Sequence, residues 1–84
     1  MAMNQIFIEG KLRKGSDIYP NKKELSEKVF IEYEELKNLT WLTLLQSDDM
    51  CTINRLLNHI GEHVVIRGKL DGTAISVQDF SCLK

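Results

Sequence analysis

The sequence predicts a mainly β domain: a small five-stranded Greek-key barrel with one helix, at about 49–60, between the third and fourth strands. Three observations carry that expectation. Apolar and polar residues alternate in several short segments, which is the period of a half-buried strand. One segment, SDDMCTINRLLNHIG, instead spaces its apolar residues by three and four. Directly after it, EHVVIRGKLDGTAISVQDF reads as two strands around a tight turn.

The chain has 84 residues, the length of one domain, so 1–84 is read as a single unit. A hydrophobic fraction of 43% with one proline fits an ordinary globular chain. The formal net charge is -1, so no strong basic or acidic balance points to a partner. Cys51 and Cys82 are too few for a disulfide framework. No apolar run is long enough to span a bilayer, and MAMNQIFIEG has neither a basic n-region nor an apolar h-region. The expectation is a cytoplasmic protein with reduced thiols.

Each element has its own signal. From Gln5 to Arg13, Ile6, Ile8, Gly10 and Leu12 share one register, while Phe7, Glu9, Lys11 and Arg13 face the other way. Gly10 inside that strand predicts a bulge or sharp bend. KGSDIYPNKKELSE, residues 14–27, carries loop punctuation, with room for a helical turn over 22–26. Residues 29–36, VFIEYEEL, alternate with Val29, Ile31 and Tyr33 inward. Leu25, Val29, Leu36 and Leu39 also trace a helical stripe, so one helix over 22–39 is the competing reading. The clean alternation where Val, Phe, Ile and Tyr cluster decides for strand.

LKNL then turns the chain, and TWLTLLQ, residues 40–46, is a strand with Leu42 and Leu44 inward and Trp41 and Thr43 opposite. Ser47–Asp49 offers cap oxygens to the helix that follows. Met50, Ile53, Leu57 and Ile60 form its apolar stripe, and Gly61 suits the position after its end. Asp71-Gly72 supplies the last turn.

This order resembles the OB-fold, the oligonucleotide- and oligosaccharide-binding barrel. GEHVVIRGKLDGTAISVQDFSCL is similar to the closing part of many such domains, and IFIEGKL to their first strand with its glycine bend. The groups it resembles are single-stranded-DNA-binding proteins, replication protein A subunits and tRNA-anticodon-binding domains. The resemblance implies a binding face on strands one to three, flanked by the loops joining strands one and two and strands four and five.

The outward register supplies candidates for that face. Phe7, Phe30 and Trp41 offer surfaces on which bases stack, and Lys11, Arg13, Arg67 and Lys69 offer cations for phosphates. Tyr19, Lys22 and Lys23 in the long loop extend the groove. The expected function is binding of single-stranded DNA or RNA. The alternative is a protein-interaction module, a small subunit or inhibitor using the same aromatic face, because Glu9, Glu32 and Glu34 share that register and would repel a phosphate backbone. The balance of Lys/Arg and Glu across the face separates the two.

Chemistry beyond binding is not expected. Asp48 and Asp49 are better explained as helix caps than as an acid–base pair. The five glycines are scattered, so no phosphate loop is present. His59, His63, Cys51 and Cys82 lack metal-ligand spacing, since Gly61 breaks the helix between the two histidines. Neither a catalytic site, a metal nor a cofactor is therefore expected.

Overall fold

Near Gly10 the first strand changes partners, which lets it serve two neighbours and close the sheet. The computed structural model describes residues 5–36 and 39–83. Strand β1 is Gln5–Lys14. Its Gln5–Lys11 part pairs antiparallel with β4 (His63–Asp71), and its Lys11–Lys14 part pairs antiparallel with β2 (Val29–Leu36). A Cβ at position 10 would stand 2.4 Å from the Glu32 carbonyl oxygen. Only glycine lets β1 pass so close to β2.

Strand β3 (Leu39–Gln46) pairs antiparallel with β2 and, over Leu44–Gln46, runs parallel to β5 (Ala74–Cys82). The antiparallel β4–β5 hairpin completes a closed ring in the order β1-β2-β3-β5-β4. Strands make up 57% of the described chain, so the mainly β expectation holds. Two single-turn helices, α1 (Gly15–Ile18) and α2 (Lys23–Ser26), lie in the loop between β1 and β2. Helix α3 (Met50–Leu57) lies between the third and fourth strands, as expected. Residues 29–36 are a strand, so the single helix over 22–39 is excluded. Lys37 and Asn38 of the expected LKNL turn fall outside the described residues.

The core is the inside of this ring. Leu12, Val29, Ile31, Leu45, Leu56, Val64, Ile66, Ile75 and Val77 form one buried cluster. Burial of such aliphatic side chains supplies roughly 1.5–3 kcal/mol each before entropy is counted. Leu56 on α3 is part of that cluster, and Ile53, Leu57 and Ile60 pack against it. The helix therefore covers the barrel end where β2 begins and β3 finishes.

Two inward assignments need correction. Met50 was expected on the helix stripe but is 66% exposed, and Leu56 takes its place in the core. The helix ends at Leu57, with Asn58 as its cap, so it stops short of 60 and the stripe rotates toward Leu56. The second correction concerns β3. Leu42 and Leu44 were expected inside, but Leu45 is the buried leucine at 2% exposure, and Leu42 is 39% exposed. The cause is a register shift between Glu34 and Leu36. The extra residue makes Tyr33 face Trp41 and Ile31 face Thr43. A shift of one residue turns every following side chain to the other side of the sheet.

The capping expectation at α3 is met locally. The Cys51 amide donates to Asp49 Oδ1 at 3.0 Å, and Thr52 Oγ1 lies 3.2 Å from Asp49 Oδ2. Asp48 is exposed and Asp49 is the cap residue. Gly61 has φ +92°, in the region that favours glycine. It sits in the turn after the helix rather than directly at its end.

Candidate functional site

One opening on the barrel lies where β1 leaves β2. Pairing between these strands covers only Lys11–Lys14 with Val29–Glu32. Beyond Gly10 the first half of β1 follows β4, while Tyr33–Leu36 of β2 follows β3. The strands thus diverge around a cleft of about 890 Å³. Ile6, Ile8 and Tyr33, which also pack on the core, form its apolar part together with the exposed Phe7. Glu9, Glu32, Glu34 and Glu35 line it as well, against Lys11 and His63. Glu32 is paired with Arg13, which leaves Glu9, Glu34 and Glu35 against Lys11 and His63, an excess of carboxylate that favours a positive occupant.

The expected binding residues do not form one patch. Phe7 is 68% exposed on the outer side of β1, opposite Arg67 of β4. Lys69, opposite Gln5, continues that side. Lys11 is exposed beside the cleft. Lys22 and Lys23 are exposed at the start of α2. Trp41, at 45% exposure, lies in the register of Tyr33, Ile31 and Leu45. It was expected on the outer face with Phe30, and the same shift near Glu35 puts it on the opposite side of the sheet.

Phe30 is the clearest correction. It was expected as an open stacking surface, yet it is only 6% exposed. Tyr19 from the loop packs over it, with ring centroids 5.6 Å apart at 51°. A loop long enough to double back covers the outward aromatic. Tyr19 is accordingly half-buried and serves this packing.

Both arginines of the expected binding set are already engaged. Arg13 Nη1 donates to Glu32 Oε1. Arg67 Nε lies 3.1 Å from both Asp79 carboxylate oxygens, and its Nη1 donates to Gln78 Oε1 at 3.0 Å. The hydrogen bond from Arg67 holds the Asp79 carboxyl below its ordinary range, and the same bond raises the guanidinium. A phosphate would have to displace these carboxylates, which leaves less cation for a nucleic-acid backbone than the residue count suggests.

The fold also gathers residues the spacing did not suggest. His59, Glu62 and Cys82 converge beside the turn between α3 and β4. Cys51 on α3 and His63 on β4 do not join them. The signal that was available in the sequence is His59-x-x-Glu62, and Cys82 is added by the β4–β5 pairing Val64↔Cys82. Glu35, which lines the cleft, was not singled out in sequence, and His63, which also lines it, was weighed there only as a metal ligand.

No family model fits the sequence, and no curated protein is significantly similar to it. Among the described residues, no helix is long and apolar enough to cross a membrane.

Proposed function

We propose that this chain is a protein-interaction module on an OB-type barrel, and that the β1–β2 cleft takes an extended, basic segment of a partner. The ring order β1-β2-β3-β5-β4, with α3 between β3 and β4, supports the OB-type reading. One observation carries the function: two diverging strands, Gln5–Gly10 and Tyr33–Leu36, flank a cleft lined by four glutamates. A strand edge without a neighbour offers backbone donors and acceptors to an added strand. The glutamates select lysine and arginine on that strand. Ile6, Ile8 and Tyr33 would receive its alternate apolar side chains.

The test is an amide chemical-shift titration with an octapeptide alternating lysine and valine. Its glutamate analogue and a single-stranded oligothymidylate are titrated in parallel. Shifts at Gln5–Gly10 and Tyr33–Glu35 with the lysine peptide alone support the proposal. Tighter binding of the oligonucleotide, with shifts around Lys22 and Lys23, would return the function to single-stranded nucleic acid. Equal response to the lysine and glutamate peptides would remove the role given to the cleft carboxylates.

A further inference from the structure

We propose that His59, Glu62 and Cys82 form a binding site for a divalent cation of the zinc class. The argument is geometric. His59 Nδ1 lies 3.2 Å from Glu62 Oε1 and 3.4 Å from Cys82 Sγ. The three ligand atoms all fall within 4.8 Å of one another. Zinc binds sulfur at about 2.3 Å and nitrogen or carboxylate oxygen at about 2.0–2.2 Å, usually in a tetrahedron. Those bond lengths put tetrahedral neighbours about 3.3–3.6 Å apart. The two edges that meet at Nδ1 therefore need to open by only a few tenths of an ångström to admit the ion.

Three separate parts of the fold hold these groups in place. His59 and Glu62 bracket one turn, closed by the Glu62 amide donating to the His59 carbonyl at 3.0 Å. That turn is tied to β1 on both sides, by Gly61 N to Leu12 O and by Leu12 N to Glu62 O. Cys82 ends β5, opposite Val64, and the next amide, Leu83 N, donates to the His63 carbonyl. The Phe80 ring stands edge-on to His59, with centroids 5.8 Å apart. The ligands are thus carried by a turn and a strand that the barrel itself fixes.

The donor set decides the class of ion. A thiolate with an imidazole suits zinc and other borderline or soft cations, whereas magnesium and calcium call for oxygen alone. Three protein ligands leave a fourth position for water or a partner's side chain. Binding replaces the Cys82 thiol proton with the metal and releases that proton to solvent. None of the three residues lines the β1–β2 cleft.

The experiment is a zinc titration of the chelator-stripped 84-residue chain against a chromophoric zinc chelator, followed by cobalt substitution. The expected result is one ion per chain and a thiolate-to-cobalt charge-transfer absorption. C82S, H59A and E62Q should each weaken zinc binding at least tenfold. C51S and H63A should leave it unchanged. Glu62 is exposed, so E62Q keeps the test open should C82S fail to fold. Absence of stoichiometric zinc, or an equal loss in C51S or H63A, would overturn the site and leave the trio a hydrogen-bonded cluster.

Discussion

Tyr33 of β2 stands directly opposite Trp41 of β3. Their side chains share the side of the sheet that holds Ile31 and Leu45, and Tyr33 Oη lies 3.3 Å from Thr43 Oγ1 on that same side. Leu42 and Leu44 are consequently turned to the other side. The pairing Leu36↔Leu39 at the hairpin end, continued without interruption, would have set Tyr33 against Leu42 instead. One extra residue near Glu35 decides which leucines enter the core.

That register makes Leu45 and Leu42 a matched pair for measurement. Leu45→Ala should destabilise by ~2–5 kcal/mol, because it empties a core position. Leu42→Ala should cost less than about 1 kcal/mol. Urea denaturation of both variants checks the contrast, and a larger loss for Leu42→Ala would require the register without the shift.

Phe30→Ala should cost roughly 3–5 kcal/mol, as expected for a buried aromatic. Trp41→Ala should cost clearly less, since the indole is half exposed. Melting temperatures measured beside the unchanged chain distinguish the two. A neutral Phe30→Ala would mean that Tyr19 does not cover the ring in solution.

The glycines differ in the reason they resist substitution. Gly10→Ala forces a Cβ against the Glu32 carbonyl and should cost about 1–3 kcal/mol through overpacking. Gly61 has open space around it, so only its positive φ opposes a side chain. Gly61→Val should therefore destabilise by more than about 1 kcal/mol, while Gly61→Asn should cost visibly less. Equal losses for the valine and asparagine variants would contradict the backbone explanation.

Asp79 and Arg67 predict a pH signature. The folded carboxyl titrates below its unfolded value, so its contribution to stability is present above the ordinary carboxylate range. It is lost as the pH falls through the folded value. A carboxyl-carbon NMR titration should show a depressed Asp79 midpoint. In Arg67→Gln that midpoint should rise to the ordinary range, and an unmoved midpoint would assign the shift to another cause.

Charge reversal tests the proposed cleft. Glu9→Lys or Glu34→Lys should weaken the lysine–valine octapeptide by about tenfold, on the scale of one close charge pair. The loss should shrink as salt is raised. A stronger response at Lys22→Ala than at either glutamate would move the binding surface to the loop.

Local pattern by itself determined the five strands, a glycine within the first of them, a helix cap within 47–49 and the single helix between the third and fourth strands. Each of these depends on residues a few positions apart: alternation, cap chemistry, or a glycine within a strand. The strand reading of 29–36 over the helical stripe came from the same period-two signal. Tertiary structure decided what lies on which side. Leu45 replaced Leu42 and Leu44 because a single extra residue near Glu35 inverts the faces beyond it. Phe30 became buried because Tyr19 returns from a loop whose path is set by docking, not by local preference. Arg13 and Arg67 found carboxylates on neighbouring strands, and His59 met Cys82 across 23 positions of sequence. Such encounters depend on ring closure, which brings distant segments together through packing and leaves no period in the chain to read.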